Sequence, residues 1–233
     1  MQDLPAFGLA NTMTGFATLF SGITCLVLAR AIHPHPPRWR FAYWTFVVTG
    51  VFTVALHGFG ETNPVFGPRW FWAFLDTGSN IVVAWAIALA VLGDYYAPQT
   101  RRRGAAVLTA AMLIGVAWHF YDRLPSSERS YLVPLGEWGG FYPGETWLIA
   151  MSWTVVGLFV ARRQRIPQAA RPLLLLVLGL FLFGMLLATA RNDVVLQPFL
   201  ALHALWHLVG AFAFVAFWGF NHVRFSPELE ARS

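Results

Sequence analysis

The chain contains no lysine: all 16 of its basic residues are arginine. That absence excludes mechanisms that run through a lysine amine, a retinal Schiff base among them. The single cysteine, Cys25, lies inside an apolar run, so there is no disulfide framework and no cysteine-based metal site. Charge is scarce as well. Only 12% of the 233 residues are charged, about half of the roughly 25% usual in a soluble domain. No internal repeat or low-complexity segment is visible. The opening Met1-Gln2-Asp3-Leu4-Pro5 lacks the basic segment of a signal peptide, so the first apolar run is expected to be retained as a span.

What the chain does have is apolar and aromatic surface, 57% and 16% of its residues. Uninterrupted apolar runs of spanning length, roughly 17–25 residues, predict helices at about 8–31, 41–58, 70–93, 104–121, 145–162, 171–190 and 197–221. Between them stand the breaks His33-Pro34-His35-Pro36-Pro37, Asn63-Pro64, Pro98 to Arg103, a 124–144 loop with three prolines, Pro167 and Asn192-Asp193. The predicted fold is therefore an all-α membrane protein, one seven-helix transmembrane domain spanning residues 1–233.

Arginine placement predicts the orientation. Arg30, Arg38, Arg40, Arg101 to Arg103, Arg162, Arg163, Arg165, Arg171, Arg224 and Arg232 fall on one side of the spans, and only Arg69, Arg123, Arg129 and Arg191 on the other. The positive-inside rule puts the richer side in the cytoplasm, with the carboxyl terminus there and the amino terminus outside. The net charge of +5 thus serves topology, and nucleic acid is not an expected partner. The expected location is a bacterial cytoplasmic membrane.

Ionisable side chains at membrane depth are costly and mark candidate sites. His57 ends the second predicted helix, Asp76 lies about two turns into the third, His119 ends the fourth, and His203 and His207 open the seventh. In the predicted orientation all five lie toward the outer leaflet. His203 and His207 are spaced i, i+4 and share one helix face, a spacing that suits two nitrogen ligands of zinc. His57 is the candidate third ligand. The same pair would also suit haem ligation, an interhelical hydrogen bond or a proton relay. Asp76 is a candidate carboxylate beside a metal-activated water, or else a helix-to-helix hydrogen bond or a partner for Arg69. Thr45, Thr49 and Thr53 lead to His57 as a polar stripe, although hydroxyls so placed also bond back to the carbonyl four residues earlier. His119 beside Trp118 reads better as a residue snorkelling outward than as a ligand. Glu61 in the second loop reads better as a solvated charge than as a ligand, His33, His35 and His222 read as loop residues on the cytoplasmic side, and Trp206 as packing.

These residues resemble a known family. His203-Ala204-Leu205-Trp206-His207-Leu208 is similar to the H-x-x-W-H signature in the last helix of alkaline ceramidases. Thr53-Val54-Ala55-Leu56-His57 resembles that family's S-x-x-x-H, and Leu75-Asp76 the Leu-Asp that opens its third helix. The same pattern marks the wider CREST superfamily, which includes the adiponectin and progestin receptors. The resemblance implies an intramembrane zinc hydrolase. In it His57, His203 and His207 would bind Zn2+, Asp76 would hold the activated water, and Thr53 would stand where the family has serine. An acidic calcium-binding segment before the first helix is not visible, and Asp3 and Asn11 are poor substitutes.

The expected activity is hydrolysis of a lipid amide or ester. Zinc and the Thr53 hydroxyl would stabilise the oxyanion, and the acyl chain would lie along faces such as Leu174 to Leu182. The 121–144 loop, with Tyr131-Leu132-Val133 and Trp138, is a possible gate. The expected partners are a lipid substrate and membrane lipids, with the oligomeric state open. The alternatives are a receptor or sensor with structural zinc, a haem protein using His57, His119 and the seventh-helix pair, and a proton-coupled transporter.

Overall fold

The computed structural model describes residues 5–32, 34–60, 67–125, 132–134, 140–188, 195–197 and 200–226. Among them the architecture is all-helical. The long helices are α1 (Pro5–Ala31), α2 (Pro37–Ala55), α3 (Arg69–Tyr95), α4 (Pro98–Arg123), α5 (Pro143–Val160), α6 (Arg171–Ala188) and α7 (Leu202–Phe225). A π-helical turn, Leu56–Gly60, continues α2. Two short antiparallel pairings lie in connections, β1 (Val133–Pro134) with β2 (Gly140–Phe141) and β3 (Val195–Gln197) with β4 (Leu200–Ala201).

All seven predicted helices are present, with revised ends. Prolines open α2, α4 and α5 at the first helical position, where the fixed φ suits a helix and the missing N–H costs nothing. For α2 and α4 this moves the start back from 41 to Pro37 and from 104 to Pro98, because apolarity tracks contact with lipid and not helicity. The last helix begins at Leu202, five residues later than predicted, since Gln197, Leu200 and Ala201 pair as strands.

Among the described residues six helices are long and apolar enough to cross a membrane, and the apolar stretch of α5, Gly144–Val160, is shorter. The outward surface is apolar too: Leu175, Phe212 and Val107 are 69%, 67% and 67% exposed. Water would tolerate such a surface poorly, and the chain is a multi-pass membrane protein.

In the bundle α1 lies against α2 and α7, α3 against α2, α4 and α5, and α6 against α7. The α1–α2 crossing is close. A Cβ on Gly50 would come within 2.5 Å of the Leu19 backbone, so glycine there lets two backbones meet as small residues do in membrane helix pairs.

One pole of the bundle is held by a buried ionic clasp. Asp94 near the end of α3 is paired with Arg38 of α2, accepts from Trp39 Nε1 at 2.8 Å and meets Arg224 Nη2 of α7 at 2.6 Å. The Asp94 and Arg224 side chains are each 5% exposed. Arg224 also donates to the Tyr95 hydroxyl at 2.5 Å and to Asn221 Oδ1 at 2.8 Å, and Asn221 Nδ2 donates to the Tyr43 hydroxyl at 3.0 Å. Removing one partner of a buried pair strands the other charge, at a cost of about 3–5 kcal/mol. Asp94→Ala is accordingly expected to lower the unfolding free energy in detergent by about that amount, with Asp94→Leu plus Arg224→Met recovering most of it. Equal stability of Asp94→Ala and wild type would show that the clasp contributes nothing.

Candidate metal centre

The opposite pole gathers the histidines. The π-helical turn after α2 carries His57, and the first two turns of α7 carry His203 and His207. His57 and His207 are 3% and 5% exposed. One nitrogen from each ring lies within 4.8 Å of the others, close enough for the three to hold a metal ion. The Nε2 atoms of His57 and His203 are 3.3 Å apart. Two ligands held at about 2.0–2.1 Å from a tetrahedral ion stand roughly 3.3–3.4 Å apart. The donor set therefore fits.

His207 gives the sharpest sign. Its Nδ1 lies 3.1 Å from Thr14 Oγ1, and that hydroxyl donates to the Ala10 and Asn11 carbonyls at 2.9 and 3.1 Å. The threonine oxygen is then the acceptor and Nδ1 the donor, which leaves the lone pair on Nε2. His207 Nε2 is buried and without a hydrogen-bond partner. A buried acceptor with nothing to bind is costly, and a cation shared with its two neighbours would satisfy it. Thr14 is thus the outer partner that fixes the ring tautomer.

Asp76 is 3% exposed and accepts a hydrogen bond at Oδ1 from the Thr53 hydroxyl. Ser79 Oγ and Asn80 Nδ2 donate to its main-chain carbonyl at 2.8 and 2.9 Å. Thr45, Thr49 and Thr53 all bond back along α2, to the Ala42, Thr45 and Thr49 carbonyls at 2.8, 3.1 and 3.0 Å. Of the threonine stripe only Thr53 reaches another helix.

A cavity of about 790 Å³ opens beside the cluster. His57, His203, Asp76, Arg69, Arg123 and Glu145 line its polar part, and Leu174, Leu178, Phe181, Phe159, Phe214 and Phe217 much of its apolar remainder. Leu174, Val177, Leu178, Leu180 and Phe181 contribute the α6 wall, so part of the predicted 174–182 face does border it. From Glu145 to Phe159 along α5 the cavity runs about 21 Å at 1.5 Å per residue. Thr53 and His207 are not among its lining residues. The Thr53 hydroxyl meets the Asp76 carboxylate instead.

Several predicted assignments change. His119 does not snorkel: it is 1% exposed, with its ring stacked on Phe74 at 6.0 Å, because the ends of α4 and α5 close over it. It is not part of the three-histidine group. His35 lies in the connection between α1 and α2, as expected of a loop residue, but is 1% exposed and 3.0 Å from the Tyr43 hydroxyl. His222 is not in a loop but is a residue of α7, stacked on Trp218. Trp206 packs between His203 and His207, at 5.3 and 5.5 Å, and also lines the cavity. Glu61, His33, Tyr131 and Trp138 lie outside the described residues. The 3.3 Å between His57 and His203 leaves no space for a macrocycle between them, which disfavours the haem alternative.

Sequence reasoning missed Thr14 and the π-helical turn. Thr14 and Thr18 at i, i+4 in an apolar run carried a signal, the same one that drew attention to Thr49 and Thr53. Compared with known protein families, with curated proteins and with solved structures, the chain matches none of them.

Loss of an outer-shell partner typically costs 10–100-fold in metal affinity. Thr14→Val is expected to weaken divalent-ion binding by about that factor, and Thr14→Ser to restore it. Chelator competition on the purified protein measures both, and equal affinities for wild type and Thr14→Val would remove Thr14 from the centre.

Proposed function

We propose that the protein is an intramembrane zinc hydrolase that cleaves an amide or ester bond of a lipid, resembling alkaline ceramidases. The carrying observation is the convergence of three histidine nitrogens within 4.8 Å beside a buried carboxylate and a long apolar cavity. Among the described residues the candidate ligands are three imidazoles, the count of a catalytic zinc site with a fourth position open, whereas structural sites close all four. This supports an enzyme over a receptor with structural zinc.

Bound zinc supplies Lewis acidity, lowering the pKa of water toward about 7 and polarising a carbonyl. Asp76 accepts the proton of the attacking water on the oxygen not held by Thr53. As the water oxygen bonds to the acyl carbon and the carbon–nitrogen (or carbon–oxygen) bond breaks, Asp76 returns that proton to the leaving atom. Thr53 keeps the carboxylate aimed by donating to its Oδ1. The apolar length of the cavity receives the acyl chain, and burial of the site keeps bulk water from competing.

In this reading all seven helices cross the bilayer. The α5 helix, with 18 residues, spans about 27 Å at 1.5 Å per residue, near the roughly 30 Å of a hydrocarbon core. The amino terminus is outside and the catalytic pole lies toward the outer leaflet, as the uneven arginine distribution favours.

Metal analysis tests the centre: the purified protein should carry one zinc, lost in His203→Ala plus His207→Ala. Asp76→Asn should keep the zinc and lose about 10²–10⁴-fold in turnover, the usual span for a general base. Zinc retained by the double variant would end the metal assignment, and unchanged turnover of Asp76→Asn on a panel of fatty amides and esters would end the role of Asp76.

A further inference from the structure

A hydroxyl interrupts the apolar length of the cavity. Ser152, in the middle of α5, is 6% exposed and lines the cavity. Serine and threonine in a membrane helix ordinarily turn the hydroxyl back to a carbonyl three or four residues earlier. Thr154, on the same helix, does so to the Ala150 carbonyl at 2.8 Å, and Ser21 to the Thr18 carbonyl at 2.8 Å. The Leu148 carbonyl stands four residues before Ser152, yet the Ser152 hydroxyl bonds to nothing among the described residues. Close packing of helices explains a small residue there but not its hydroxyl. Alanine packs as closely and leaves no polar group to satisfy.

The α7 wall is recessed at the same level. The rings of Phe159 on α5 and Phe217 on α7 meet at 6.1 Å, and Phe159 also lies 6.3 Å from Tyr95, the neighbour of Asp94 in the clasp. Both helices therefore run from the histidine pole toward the clasp. Ser152 and Gly210 each stand seven residues before these two rings, so they share a level. Gly210 lines the cavity as well, and nothing lies within 4 Å of where its Cβ would sit. Glycine inside a helix is destabilising relative to alanine, and no neighbour requires one here. What it provides is room.

The level fixes which part of a lipid arrives there. His203 stands seven residues before Gly210, about 10 Å along α7 at 1.5 Å per residue. An extended chain advances roughly 1.2 Å per bond, a third of the 3.3–3.6 Å spanned by a three-bond residue. A lipid whose carbonyl sits at the histidines thus reaches Ser152 about eight to ten bonds along its chain.

We propose that Ser152 and the recess at Gly210 form a subsite for a hydroxyl partway along the acyl chain, so that the substrate is a mid-chain-hydroxylated fatty amide or ester. A chain hydroxyl buried among apolar groups is costly unless it is bonded, and serine both donates and accepts. A plain chain would fill the cavity and leave Ser152 unpaired. This rests on the lipid-hydrolase reading, and the experiment separates the two.

Binding is measured on zinc-loaded Asp76→Asn in neutral detergent, with three isomeric N-ethyl hydroxystearamides as probes. Their hydroxyl is beside the carbonyl, in mid-chain or at the chain end, so composition is constant and only position varies. The mid-chain isomer should bind about 5–10-fold more tightly than the other two, the worth of one buried hydrogen bond. Adding Ser152→Ala should bring the three affinities together, with zinc content as the check on folding. Should Ser152→Ala lose its zinc, the comparison of isomers on the protein that keeps Ser152 decides alone. A mid-chain preference without turnover of any isomer by the zinc-loaded wild type would uphold the subsite and sink the hydrolase. Equal affinity for the three isomers, or a preference that survives Ser152→Ala, would overturn the subsite even if all three are cleaved.

Discussion

Burying a charge in a helical bundle is tolerable only when its partner is buried with it, and the pairing of Asp94 with Arg224 sets the frame for everything else in this protein. The contact joins the end of α3 to the end of α7, and Trp39 with Arg38 brings in the start of α2. These are the helices that supply Thr53, His57, Asp76, His203 and His207. Asp76 and Asp94 are 18 residues apart on one helix, about 27 Å at 1.5 Å per residue. The two poles are thus the two ends of the same three rods. Fixing the rods at one pole limits how far they can splay at the other.

The division of labour between the poles follows from chemistry. Asp94 is held by two arginines and the Trp39 indole. At the other pole three imidazoles meet one another, with Arg69 and Arg123 along the wall of the adjoining cavity. Imidazoles can be ligands, donors or acceptors, and the hydroxyl of Thr14 resolves that ambiguity for His207. Asp76 accepts from the Thr53 hydroxyl and lines the cavity beside the imidazoles.

Much of this was legible in the residues. The seven helices follow from apolar length, since a bilayer leaves helices and closed barrels as the only spanning structures. The i, i+4 spacing of His203 and His207, together with a depth shared with His57 and Asp76, brought the right residues together. What was not legible depends on packing between helices distant in sequence. Nothing local distinguishes buried His119 from a histidine at the interface, because that depends on how α4 meets α5. The clasp escaped for a similar reason. Arg224 reads as a cytoplasmic tail charge serving topology, and only tertiary contact turns it inward onto Asp94. The contact of Thr53 with Asp76 likewise joins two helices, and spacing along one of them does not fix it.

The contact between Thr14 and His207 bridges 193 positions of the chain. Contacts so remote in sequence form late, after the intervening segments have been ordered. The first helix must therefore wait in the bilayer until the last has been inserted before the imidazole acquires its working tautomer. A cation that binds only the finished arrangement stabilises that arrangement over every partly assembled one. A chain truncated before α7 lacks His203 and His207, and its α1 keeps only the α2 side of its packing.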